Sequence, residues 1–176
     1  MSRFSRWVVA ALFLLSIHCA EAAQDVADEV RVKAAVIYNL LLFVDWPGDV
    51  PTGDFRLCLI EGGALAVALQ DFAGKPIHGR RFVPHPIGGG ADELQSCFAV
   101  MVEAGNPVAL ARAGATARNR PLLVIGEGTG ATDRGAMVSL AAQGSRMVFD
   151  VDLGALRRAH LGASSKLLRL ARRVVE

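Results

Sequence analysis

The chain has 176 residues, 52% of them hydrophobic and 20% charged, with a formal net charge of +2 and a mean hydropathy of +0.36. That length accommodates one domain with a short appendage. Abundant apolar side chains with little charge exclude an intrinsically disordered chain. Near-neutrality excludes the basic excess on which nucleic-acid binders depend, so no nucleic-acid partner is expected.

Arg3 and Arg6 precede an apolar run from Trp7 to Ile17, and Ala20-Glu21-Ala22 follows. A positive n-region, an apolar h-region and an A-x-A site read as a secretory signal peptide, residues 1–22, cleaved after Ala22. The run is shorter than the roughly 20 apolar residues that a spanning helix needs. A lipoprotein site at Cys19 is disfavoured, because Ser16-Ile17-His18 lacks the small residues expected before the cysteine. Removal of the leader leaves residues 23–176, read as a single α/β domain. Seventeen basic and sixteen acidic side chains remain. Cys58 and Cys97 also remain, and two cysteines in an exported chain read as one disulfide, with two buried thiols as the alternative. Closing a loop of about 39 residues contributes about 4 kcal/mol on the chain-entropy model.

In chain order, residues 25–45 read as a helix. Asp25, Asp28 and Glu29 sit in its first turns, where the helix dipole favours negative charge. Val32, Val36, Leu40 and Phe43 recur as a buried stripe. Trp46-Pro47-Gly48-Asp49 stops the helix. Phe55–Ile60 is a short apolar strand carrying Cys58, and a helix over 64–72 is ended by Gly74. Residues 81–87 form a strand that Pro84 and Pro86 confine to an edge, before a Gly88-Gly89-Gly90 loop. A fully buried strand follows over 98–103. Pro107 opens a helix running to 118, and 121–125 is a further strand. Residues 136–142 and Arg146–Asp152 flank Gln143-Gly144-Ser145 as an antiparallel hairpin. A last helix over 153–175 is capped by Asp152. Alternating strands and helices predict an α/β, three-layer sandwich with a mixed, mostly parallel sheet and a late antiparallel hairpin.

Few motifs carry chemistry. Gly126-Glu127-Gly128-Thr129-Gly130-Ala131 fits the dinucleotide pattern G-x-G-x-x-A, but the physics of that pattern needs a helix N-terminus directly after the glycines. Asp133 and Gly135 intervene and strand character follows, so a glycine-rich turn is expected. His78, His85 and His160 have no spacing that requires a metal. No G-x-S-x-G and no H-E-x-x-H occurs, so the chain reads as a non-enzyme without cofactor or metal. Arg157, Arg158, Lys166, Arg169, Arg172 and Arg173 make the C-terminal helix basic. They suit a solvated face, or a surface for an acidic partner or anionic lipid.

Two stretches together resemble the YfiR-like family of exported bacterial proteins. The first is Val32-Lys33-Ala34-Ala35-Val36-Ile37-Tyr38-Asn39, continuing through Phe43-Val44-Asp45-Trp46-Pro47. The second runs from Gly135 through Val148-Phe149-Asp150-Val151-Asp152-Leu153. It closes on Leu161-Gly162-Ala163-Ser164-Ser165-Lys166-Leu167-Leu168-Arg169-Leu170-Ala171. Gly74, Gly79 and Cys97, and Pro121-Leu122-Leu123 before Gly126, are thinner matches. The motif residues Lys33, Tyr38, Asn39, Phe43, Trp46, Pro47, Gly135, Phe149, Asp152, Leu167, Leu168 and Leu170 look like scaffold.

The resemblance implies a small periplasmic regulator, often a homodimer. Such a regulator binds the periplasmic domain of a membrane-bound diguanylate cyclase and holds it inactive, which restrains cyclic di-GMP and biofilm formation. A periplasmic small-molecule-binding module reporting to another membrane receptor is the alternative. The chain lacks the second cysteine pair that some relatives carry near the late hairpin. It has Gly135-Ala136 where many have two glycines, and Asp152 where many have asparagine.

Overall fold

The computed structural model describes residues 24, 26–48, 53–144 and 146–176. The proposed leader lies outside the described residues, as do Asp25, Asp49 and Ser145. Among the described residues no helix is long and apolar enough to cross a membrane.

The first helix, α1, covers 26–41. Ala34, Ile37 and Leu41, at spacings of three and four, are fully buried, which is the pattern that turns one helix face into a core. The buried face is rotated from the expected stripe, because Val32 is 47% exposed. The helix also ends earlier than expected. Val44–Asp45 is extended as a short strand, β1.

The central sheet then forms from β2 (Phe55–Ile60), α2 (Gly63–Leu69), β3 (Pro76–Ile77), β4 (Arg80–Ile87), α3 (Ala91–Leu94), β5 (Ala99–Val102), α4 (Pro107–Ala117), β6 (Leu123–Glu127), β7 (Val138–Gln143) and β8 (Arg146–Asp152). Its order is β10-β8-β7-β6-β5-β2-β4-β3, with β10 at Arg173–Val175. The pairings of β4, β2, β5, β6 and β7 are parallel, and β7–β8 is the expected antiparallel hairpin. The α/β architecture with a mixed, mostly parallel sheet is therefore as expected. Every residue of β5 is buried, as befits a strand covered on both faces. From β2 the chain crosses to β4 on one side and returns to β5 on the other. Right-handed crossovers thus put α2 on one face and α3 with α4 on the opposite face. The strand bearing Pro84 and Pro86 does run along an edge, since β3 pairs with only Arg80 and Arg81. Helix α3, just after the glycine loop, was not expected.

The C-terminal region corrects the expectation of one helix over 153–175. It is broken into α5 (Leu153–Arg158), β9 (Gly162–Ala163), α6 (Ser165–Leu170) and β10. His160 takes a left-handed φ of 57°, which ends α5. The Ser164 hydroxyl accepts from the Leu167 N–H and starts α6, and the chain is extended again at Ala171. The expected Asp152 cap is present, its carboxylate accepting the Ala155 N–H at 2.7 Å.

The glycine run is a turn. Gly126 lies inside β6, where an added Cβ would stand 2.9 Å from that of Ala131 and 3.0 Å from that of Ala136. A short 3-10 turn, Thr132–Arg134, follows in place of a helix. Among the described residues no helix begins directly after those glycines, which the dinucleotide pattern requires.

Candidate functional site

The two motif stretches meet in space. Strand β1 pairs antiparallel with β9, with Val44 opposite Ala163 and Asp45 opposite Gly162. The approach is close, since a Cβ on Gly162 would lie 3.2 Å from that of Asp45. Next to this ladder, the Lys166 ammonium sits 4.7 Å from the centre of the Phe43 ring. Leu167 is buried, Leu168 packs against the core, and Leu170 is 62% exposed.

The chain leaves β1 into an aromatic cluster. The Trp46 ring lies edge-on to Phe55 at 5.0 Å and to Phe98 at 6.5 Å. Its indole N–H donates to the Phe98 carbonyl at 3.3 Å. The His78 ring, 5.7 Å from Trp46, hydrogen-bonds the Leu41 carbonyl oxygen through Nε2 at 3.1 Å. The Arg80 guanidinium stands over Phe98 at 5.2 Å. Together with Asp45, Pro47 and Gly48 these side chains line a cleft of about 220 Å³. It offers aromatic faces, one cation and one carboxylate, a set suited to recognition.

Other motif residues hold the scaffold. Tyr38 stacks on Phe72 at 4.8 Å, meets Phe82 edge-on, and donates its hydroxyl to the Pro76 carbonyl at 3.1 Å. The Asn39 amide donates to the Ala35 carbonyl one turn back. Gly135 takes a φ of 109° after the 3-10 turn. The Phe149 carbonyl accepts the Arg172 N–H at 2.8 Å, joining β8 to the segment entering β10.

A polar group gathers at the carboxyl ends of β2, β5 and β6, which sequence reasoning missed. The Lys33 ammonium ion-pairs with Glu127, whose other oxygen accepts the Ala104 N–H at 3.2 Å. Burial, then the neighbouring Glu127, pushes the Glu103 carboxyl above its ordinary value. The Asn106 amide donates to Glu61 at 3.1 Å. Nothing local in the sequence links Lys33 to Glu127.

Cys58 in β2 and Cys97 before β5 are fully buried and joined as a disulfide, with Cα atoms 5.8 Å apart. Arg120 donates to the Leu94 and Cys97 carbonyls and so braces the loop behind the bond. His85 and His160 are exposed. Among the described residues no three His, Cys, Asp or Glu side chains are grouped to hold a metal ion.

The model of the YfiR/HmsC-like family matches residues 30–172. The chain belongs to the YfiR/HmsC-like family. That span covers both signature stretches and the ladder that joins them. No curated protein matches the chain. Among solved structures, this YfiR/HmsC-like chain is similar to a conserved domain protein from Vibrio cholerae O1 biovar El Tor. The two are 18% identical with a TM-score of 0.52 over 82% of this chain. The match takes in 60% of that protein's length, and the likeness is one of fold. The ABC domain from Streptococcus pneumoniae in complex with L-Trp overlaps more loosely. It is 8% identical with a TM-score of 0.46, over 69% of this chain and 55% of that one.

Proposed function

We propose that this chain is a periplasmic negative regulator that binds the sensor domain of an inner-membrane diguanylate cyclase and represses cyclic di-GMP synthesis. The family match over residues 30–172 carries the reading. The leader ending at Ala22 accounts for export, and residues 23–176 form the mature chain, which acts as a homodimer. Repression works by differential binding: the regulator holds the inactive state of the sensor domain because it binds that state more tightly. Deleting the gene in a strain that expresses the cognate cyclase should raise cyclic di-GMP, and unchanged levels would refute the reading.

The Trp46 cleft favours a second reading, a periplasmic module that binds a small molecule and reports to a different membrane receptor. A ligand of the folded state raises the melting temperature with its concentration. Thermal-shift screening with small aromatic and anionic compounds therefore separates the two. A specific concentration-dependent shift, with cyclic di-GMP unmoved in the deletion strain, would select the second.

A further inference from the structure

We propose that the flank of the molecule built by α5, α6 and β10 is a docking surface for the anionic headgroups of a phospholipid membrane. The inference starts from how charge is laid out along the chain. Residues 24–106 hold six basic and eleven acidic side chains, whereas residues 107–176 hold eleven basic and five acidic. The sheet order keeps the strands of these halves apart, although α1, with Asp28 and Glu29, lies beside Arg146 of β8. Strands β3, β4, β2 and β5 form one side, and β6, β7, β8 and β10 the other. A chain close to neutral overall is thus electrically lopsided across its sheet, and such a field orients the molecule toward an oppositely charged surface.

The basic excess is densest at the β10 edge. Arg157 and Arg158 on α5, Lys166 and Arg169 on α6, and Arg172 and Arg173 at β10 are all exposed. Two of the carboxylates nearby are already engaged, while Asp45, exposed beside Gly162, marks the border of the flank. Asp150 is buried against Arg172 at 2.6 Å and Arg173 at 3.8 Å. Asp152 caps α5 and lies 3.9 Å from Arg158. Glu176 is the one further acid in this segment. Arg157 and Arg169 make no ion pair among the described residues, so their charge is available to a partner.

Apolar side chains stand among these cations. Of the seven large hydrophobic residues exposed among the described residues, Leu170, Val174 and Val175 fall here. Cations ringing a few apolar side chains match a headgroup layer, where charge attracts and short apolar groups enter the acyl boundary. The inference stands without the cyclase reading, although a regulator of a membrane-bound partner gains from being held at that membrane.

The test is co-sedimentation of the purified mature chain with vesicles. One set is phosphatidylcholine with about one-third phosphatidylglycerol, the other phosphatidylcholine alone. Binding to the anionic vesicles should be at least about tenfold tighter and should weaken as salt rises. The triple variant Arg157→Glu, Arg158→Glu, Arg169→Glu should abolish it while melting near the parent temperature, because all three side chains are exposed. Leu170→Ser should weaken it severalfold at unchanged charge. Equal binding to both vesicles, no binding, or full binding by a folded triple variant would overturn the proposal. Loss of sensor-domain binding in that variant, without vesicle binding by the parent, would assign the flank to a protein partner instead.

Discussion

The backbone N–H of Ser164 donates to the carbonyl of Phe43 at 2.9 Å, extending the β1–β9 ladder into the start of α6. The link makes one structural unit of two sequence stretches that lie far apart in the chain. Substitutions on either side should therefore disturb the same region.

Trp46 is the apolar hub beside that ladder. Trp46→Ala would remove its edge contacts with Phe55 and Phe98 and its hydrogen bond to Phe98. A partly buried aromatic of this kind should cost about 3 kcal/mol, measured by urea denaturation. Trp46→Phe should recover much of that loss. Equal losses in the two variants would show that the ring does not pack as described.

The Cys58–Cys97 bond closes a sequence separation of 39 residues. Replacing both residues by serine should lower stability by about 4 kcal/mol on the chain-entropy model and leave partner binding detectable. Binding lost in a double variant that remains folded would instead mark the bond as a redox switch.

Asp150 sets an acid limit on the C-terminal strand. The Arg172 guanidinium, hydrogen-bonded to it, holds its carboxyl below the ordinary aspartate value near 3.8. A depressed folded-state pKa contributes stability above the unfolded-state value and loses it as pH falls through the folded one. Asp150→Asn should lower the melting temperature at neutral pH, and the gap to the parent should close below about pH 4. The cost should be about 2–3 kcal/mol, less than for a fully buried pair, because the Arg172 side chain is 36% exposed. A gap that persists unchanged in strong acid would contradict the assignment.

Gly114 inverts a general rule. Glycine to alanine inside a helix ordinarily stabilises by about 0.5–1 kcal/mol. Here the new Cβ would stand 2.9 Å from the Gly135 carbonyl oxygen. Backbone cannot swing aside as a side chain can, so Gly114→Ala should destabilise by about 1–3 kcal/mol. A rise in melting temperature would show that the 3-10 turn gives way.

Local patterns made much of the architecture legible. Pro107 marks the start of α4, and the apolar runs at Phe55–Ile60 and near 98–103 read directly as buried strands, whereas α1 and α2 end several residues before Pro47 and Gly74. The C-terminal region reads as one helix because Leu161, Leu168 and Ala171 keep helical spacing, although Leu161 lies in the break between α5 and α6. The signals that oppose a continuous helix were present in Gly162 and in the capping residue Ser164, but they compete with strong apolar periodicity. Pairings such as Lys33 with Glu127, or Arg172 with Asp150, join distant segments through the sheet and have no local signature. The composite site was legible only as two motif stretches, since nothing in either one states that β1 and β9 pair.

The most direct test of the regulatory reading is a reconstitution. The mature chain would be titrated onto its cognate full-length cyclase in nanodiscs, with cyclic di-GMP production followed over time. Saturable binding with a matching fall in synthesis is expected. Synthesis unchanged at a concentration that saturates binding, or no binding to the cyclase at all, would contradict it.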